Sequence, residues 1–149
     1  MGFLDAITWE DIEEAEREGH RVRIESPLGA YEKFNAFNAR EKTRHYIEEI
    51  LKDEGIYDPD TMTIEIWSSS PKLGGKKGKI HGWVDFWGRC EIDAYFKIID
   101  KRTGKVIGDG DFMAEGKWDF GRDECLITRP MSIWLDREVA KKLLKMFKK

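Results

Sequence analysis

The spacing of apolar positions changes part-way along the chain. Up to about Gly55, apolar residues recur every three or four positions, which is the period of helices with one buried face. From Met62 onward they alternate with polar residues, which is the period of strands with one buried face. The pattern therefore predicts helices mainly in the first part and an antiparallel sheet in the second.

Three helices are predicted. The first covers about Asp5–Glu18, and the last begins near Arg137, where Asp136 is a suitable cap. The main helix covers about Asn38–Glu54 and opens with a capping-box pattern, Asn-Ala-Arg-Glu. The spacing of Tyr31, Phe34 and Phe37 predicts one or two helical turns immediately before it.

Alternation and turn residues define the strands. Six are predicted: His20–Glu25, Met62–Trp67, Lys79–Trp87, Cys90–Asp100, Lys105–Phe120 and Glu124–Arg129. The loop Ser68–Gly78 is rich in Gly and Lys, but it lacks P-loop spacing and leads into a strand instead of a helix. We interpret it as a solvated hairpin loop, with weak anion or nucleic-acid contact as the alternative.

The two faces of the sheet depend on the turn near Gly88. If Phe86 lies opposite Cys90, apolar residues and glycines occupy one face and polar residues the other. A two-residue turn at Gly88 and Arg89 would instead bury Asp85 on the apolar face. We favour the first register because it separates the faces.

Glycine is unusually frequent on the predicted inner face, at Gly82, Gly108, Gly110 and Gly116. Missing side chains leave room and permit strong strand curvature, so either a close helix or a ligand must fill the space. We predict an α+β fold with an antiparallel meander of four to six strands curved around helices on one face. Its element order is that of helix-grip or cone-like half-barrel folds. No linker or repeat divides the chain, so residues 1–149 form one domain.

Composition narrows the function classes. The chain is 40% hydrophobic and 37% charged, which favours a folded soluble domain over a disordered or membrane protein. A net charge of −3 disfavours general nucleic-acid binding. The first residues lack a signal-peptide pattern, so we expect a cytoplasmic location. The absence of Gln and the presence of only two Asn resemble thermophile composition.

The two cysteines, Cys90 and Cys125, lack the C-x-x-C spacing of zinc and redox motifs. We expect them to be small buried residues with free thiols in a reducing compartment. The sequence leaves open whether they pair.

Acidic residues dominate the predicted outer face. Asp111, Glu115 and Lys117 imitate the D…ExK pattern of metal-dependent nucleases. Along one strand, however, Asp111 and Glu115 would lie ~13 Å apart, too far to share an ion without cross-strand partners such as Asp93. We therefore favour a solvated charged face and expect neither a metal nor a cofactor.

An aromatic group lies on the same predicted face. His81, Trp83 and Tyr95 form a candidate partner-binding patch, because exposed Trp and Tyr are favoured at interfaces. The alternative is an ordinary cross-strand cluster that supports the sheet.

No residue pattern in the sequence meets the demands of catalysis. The sequence favours a binding domain, with an apolar ligand in the Gly-lined hollow or a protein partner, including a second copy, on the aromatic patch. The alternative is a metal-dependent hydrolase or nuclease that uses the outer carboxylates. Ligand, partner, oligomeric state and biological role are not determined by the sequence.

Overall fold

The computed structural model describes residues 14, 17–19, 21–26, 32–68 and 75–136. Most of the predicted first helix and all of the predicted helix from Arg137 lie outside these residues. Within them, no helix is long and apolar enough to cross a membrane.

The described elements are predominantly strands. In chain order they are β1 Arg21–Ser26, β2 Lys33–Phe34, α1 Ala39–Asp53, β3 Met62–Trp67, β4 His81–Val84, β5 Arg89–Asp100, β6 Val106–Asp119, β7 Glu124–Ile127 and β8 Met131–Asp136. An antiparallel sheet with a packed helix confirms the α+β class in its broad form. The comparison with half-barrel folds stays a prediction.

All strand pairs are antiparallel, and the long β5–β6 hairpin forms the centre of the sheet. β3 and β4 both pair with β5, one after the other along its length. β8 and β7 pair in the same way with successive parts of β6. β1 then extends the sheet beyond β8, and the short β2 extends it beyond β7.

Helix α1 covers the inner face of the sheet. Its buried residues are Ala39, Thr43, Ile47, Ile50 and Leu51. The four apolar ones share one core with Ile64 of β3, Phe96 of β5 and Phe112 of β6. Their spacing of three or four residues is the helical period on which the helix was predicted.

The predicted capping box is wrong in its contacts. The Asn38 side chain makes no capping hydrogen bond to the first turn of α1. Its Oδ1 instead accepts from the Asn35 N–H at 3.0 Å, while the Asn35 Oδ1 accepts from the Phe37 N–H at 3.0 Å. Glu41 forms an ion pair with Arg40 at 2.9 Å and does not reach back to the cap.

The predicted helical turn at Phe34 is also wrong. Lys33 and Phe34 form β2, in which Phe34 lies opposite Cys125. Its side chain is buried in the main core. Pairing with a strand about ninety residues away overrides the local helical period. Tyr31 lies outside the described residues.

The pairing of β4 with β5 confirms which residues share the inner face, but it does not confirm the predicted pair of Phe86 with Cys90. Val84, not Phe86, lies opposite Cys90, and Gly82 lies opposite Ile92. The Asp85 N–H donates to the Arg89 O at 2.9 Å and closes the three-residue loop 86–88. Phe86 lies in this loop and is 90% exposed, so it belongs to neither face.

Strand β8 has no counterpart among the predicted strands. Residues 131–135 are all buried, so the segment shows no alternation by which a strand is recognised. Trp134 and Ser132 lie on the outer-face register beside Asp111 and Met113, and both are buried. These two outer-face side chains of β8 are buried, so the outer face is not solvated along its whole extent.

Cys90 and Cys125 form a disulfide, so the expectation of free thiols is wrong. They lie on β5 and β7, which are separated by β6, yet their Cα atoms are 6.2 Å apart. In a flat sheet, strands two positions apart lie ~9.6 Å from each other. The sheet therefore bends sharply around β6 at Gly116, where a Cβ atom would overlap the Leu126 carbonyl. Only glycine fits this bend.

Candidate functional site

A cleft of about 560 Å³ opens between the start of α1 and the inner face where β4 meets β5. Its apolar lining includes Phe34, Phe37, Ala39, Ile80, Val84, Ile92 and Trp118. The disulfide-bonded Cys90 and Cys125 also line it and are almost fully buried. The sharp bend at Gly116 therefore shapes the wall of the cleft.

Few polar side chains enter this lining. Arg40 and Lys79 supply positive charge, and Asn35 supplies an amide. Glu91 is 7% exposed, and its Oε2 accepts a hydrogen bond from the Trp83 Nε1 at 2.6 Å. A mostly apolar cleft of this volume with a few polar groups is typical of small-molecule sites.

Exposed aromatic side chains surround the same part of the molecule. Phe37 stands fully in solvent beside the cleft, and Phe86 and Trp87 follow β4 directly. The rings of Phe86 and Trp87 form an edge contact with centroids 4.8 Å apart. Phe120 lies close to Gly88 in the neighbouring turn. We call β4, the turn 85–88 and the turn 120–123 the open end of the sheet.

The four glycines of the predicted hollow do not share one environment. Gly82 lines the cleft. A Cβ atom at Gly110 would overlap the Trp134 carbonyl, and at Gly116 it would overlap backbone of β7. Gly108 is buried opposite Ile98. The space expected above Gly110 and Gly116 is therefore already occupied by the protein.

The residues of the predicted aromatic patch are each held by a carboxylate. The His81 Nδ1 lies 3.0 Å from the Asp93 Oδ1. Trp83, 40% exposed, donates to Glu91, and the Tyr95 hydroxyl donates to Asp109. His81 and Trp83 share β4, whereas Tyr95 lies further along β5 opposite Trp67. The three residues follow one face of the sheet without forming a compact group.

The nuclease-like residues are spread along β6. Asp111 lies opposite Tyr95, and Glu115 lies opposite Glu91. Glu115 also forms an ion pair with Arg129 at 3.1 Å. Across the described part of the chain, no three or more His, Cys, Asp or Glu side chains are arranged to hold a metal ion.

Asp93 is the most perturbed carboxyl on the outer face. Its pKa is raised to about 6, mainly by burial and to a smaller extent by the negative charges of Glu91 and Asp111. His81 opposes this increase through its charge and its hydrogen bond. Asp93 therefore changes its charge in a pH range where ordinary aspartates stay ionised.

No family model, curated protein or solved structure gives a significant match to this chain. The function must therefore be inferred from the geometry of the described residues.

Two parts of the cleft were not predicted from the sequence. One is the contribution of Phe37, Ala39 and Arg40, which depends on how α1 begins above the sheet. The other is the disulfide, which depends on the bend in β6. The only signal in the sequence was the apolar character of the segment before α1.

Proposed function

We propose that this domain binds a small, largely apolar ligand in the cleft at the open end and does not act on it chemically. The observation that carries this proposal is the cleft of about 560 Å³ with its apolar lining. Each buried CH₂ group of a ligand contributes about 0.8 kcal/mol, so an alkyl chain gains affinity with length until the cleft is filled.

The charges in the lining favour a ligand with one acidic end. Arg40 and Lys79 are the cationic lining residues, and both side chains reach solvent. Glu91 also borders the cleft, but its carboxylate accepts a hydrogen bond from the Trp83 indole. A carboxylate-terminated apolar molecule would therefore meet two cations, whereas an ammonium group would meet repulsion.

Binding without catalysis is supported by the groups that face the cleft. Cys90 and Cys125 are bonded to each other, so neither thiol is available as a nucleophile. Among the described residues that line the cleft there is no His, Ser or Thr to act as a base or nucleophile. No observation on the described outer face favours the metal-dependent hydrolase alternative.

Calorimetric titration with three twelve-carbon probes tests the ligand class. We expect dodecanoate to bind with saturable heat, dodecanol about tenfold more weakly and dodecylamine weakest, because only the carboxylate gains charged hydrogen bonds. Equal affinity for all three would contradict the acidic end. Absence of saturable binding by any of them would contradict the proposed function.

A paired substitution locates the binding. Ala36 is an exposed lining residue, so Ala36→Trp introduces a large ring at the cleft without altering the core. Lys52→Trp adds the same ring in the last turn of α1, ~18 Å from Arg40 along the helix axis. We expect Ala36→Trp to weaken dodecanoate binding about tenfold or more and Lys52→Trp to leave it unchanged. Equal effects of the two variants would place binding elsewhere.

A further inference from the structure

Strand β4 is a short edge strand of the described sheet. Among the described residues it pairs with β5 alone, and all four of its residues are exposed. Edge strands are usually protected by Lys, Pro or a bulge, because unpaired backbone groups attract another strand. The sequence of β4, His-Gly-Trp-Val, contains none of these residues.

Hydrogen bonds on either side of β5 show which backbone groups of β4 point away from β5. The Trp118 N–H donates to the Gly88 O at 2.7 Å, and the Asp85 N–H donates to the Arg89 O at 2.9 Å. Because the pattern alternates along a strand, even-numbered residues of β5 bond to β6 and odd-numbered residues bond to β4. In β4 the odd-numbered residues therefore bond to β5.

The even-numbered residues of this segment direct their N–H and C=O groups to the open edge. They are Gly82 and Val84 and, by continuing the alternation one residue back, Ile80. All three line the cleft. A strand added at this edge would therefore continue the wall of the cleft.

We propose that β4 pairs with β4 of a second copy of this chain across a two-fold axis. An antiparallel strand paired with itself satisfies two-fold symmetry, since one patch serves as both partners. Gly82 would lie opposite Gly82 of the second copy, and Ile80 opposite Val84. This register satisfies all three outward-facing residues with about six backbone hydrogen bonds and keeps both inner faces on one side.

Charge complementarity favours this register over its neighbours. It also favours a second copy of this chain as the strand that pairs with β4. Lys79 would stand opposite Asp85 of the other chain, and symmetry repeats this pair. Lys79 is exposed. The half-buried Asp85 carboxylate already accepts from the Arg89 side chain at 2.7 Å and from two backbone N–H groups of its turn. Lys79 of the other chain would therefore share this carboxylate with Arg89. A shift by two residues in either direction would place Lys79 opposite Trp83 or Trp87 instead, without an acidic partner.

Pairing would also complete the cleft. Ile80 and Val84 of the second copy would lie next to their counterparts at the mouth, so the two apolar clefts would share one wall. The exposed Trp83 would gain His81 of the second copy as its cross-strand neighbour. The dimer does not depend on the ligand proposed above, because it rests on the backbone edge and the charges.

The molecular mass in solution, measured by light scattering, tests the dimer when one backbone N–H of β4 is removed by substitution. The wild-type mass should be twice 17.4 kDa, and Gly82→Pro should reduce it to 17.4 kDa. Proline removes an N–H that does not bond to β5, which edge strands tolerate. The matched control Gly82→Ala keeps the N–H and should stay dimeric, because its Cβ would lie 3.4 Å from the nearest atom, the Glu91 carbonyl oxygen.

A second pair of variants tests the dimer even if Gly82→Pro does not fold. Lys79→Glu should weaken the dimer tenfold or more, whereas Lys76→Glu, with the same charge change outside the pairing, should not. Backbone hydrogen exchange should show the Gly82 and Val84 amides protected in the wild type and less protected in Lys79→Glu at the same protein concentration. A wild-type mass of 17.4 kDa would overturn the proposal. So would a dimer in which folded Gly82→Pro or Lys79→Glu associates as tightly as the wild type.

Discussion

The two ends of the β5–β6 hairpin contain similar apolar residues in opposite surroundings. At one end, which we call the core end, Phe96, Ile98 and Phe112 are completely buried. At the open end, the turns before β5 and after β6 carry Phe86, which is 90% exposed, and Phe120, which is 66% exposed. Both β3 at the core end and β4 at the open end are edge strands beside β5 among the described residues, but all of β4 is exposed, whereas alternate residues of β3 are buried.

The difference shows that the apolar pattern alone does not decide what is buried. Alternation places a side chain on a face, but neighbouring elements decide whether that face is covered. Phe112 lies opposite Ile133 on the neighbouring strand β8, and α1 residues lie in the same core. Exposed apolar groups concentrated in one place instead mark a surface for another molecule.

The largest expected effect comes from removing one ring at each end. Phe112→Ala should lower the free energy of unfolding by about 3–5 kcal/mol, because it leaves a cavity in a fully buried site. Phe86→Ala should change it by less than about 0.5 kcal/mol, because that ring is almost fully exposed. Urea unfolding of both variants measures the contrast. Similar losses at the two positions would remove the distinction between the ends.

The disulfide lies in the wall of the cleft at the open end, and its removal gives the next largest effect. It joins cysteines 35 positions apart, so Cys90→Ala with Cys125→Ala should cost about 3–4 kcal/mol of unfolding free energy. The double variant should also bind dodecanoate more weakly, since the bond holds the cleft wall. Reductant should lower the melting temperature of the wild type and leave that of the double variant unchanged. Equal stability of oxidised wild type and double variant would contradict this role.

A smaller expected effect is a pH dependence of the free energy of unfolding, which arises from Asp93. Its pKa is raised to about 6 in the folded state, so its stabilising contribution is complete below the unfolded value near 3.8 and is lost as pH rises through 6. Wild type should therefore gain about 1 kcal/mol relative to Asp93→Asn as pH falls from about 7 to 5. Asp60→Asn, which removes a carboxylate from an exposed loop, is the matched control. A pH-independent difference between wild type and Asp93→Asn would contradict the raised pKa.

The sequence predicted those parts of the fold in which one face is buried and the other is not. The faces of β5 and β6 followed from alternation, and α1 from its helical spacing. β8 was missed because both its faces are covered, and Trp134 is as buried as Ile133. β2 was missed because two residues contain no period, and its partner lies far away in sequence.

The candidate site was predictable only in part. Gly82 was identified as lining an apolar hollow, and it lies in the cleft. Gly110 and Gly116 were assigned to the same hollow, but they are needed where backbone and side chains approach too closely for a Cβ atom. Glycine frequency alone cannot distinguish open space from close packing. The sharp bend that brings Cys90 to Cys125 is likewise a three-dimensional property.

The most direct test of the open end as the functional surface is an amide and indole NMR titration of isotope-labelled protein with dodecanoate. The account predicts saturable shifts at Gly82, Val84, Ile92 and the Trp118 indole, with the amides of Phe96 and Ile98 at the core end unchanged. Saturable shifts centred instead on Asp111 and Glu115, with none at the open end, would contradict it.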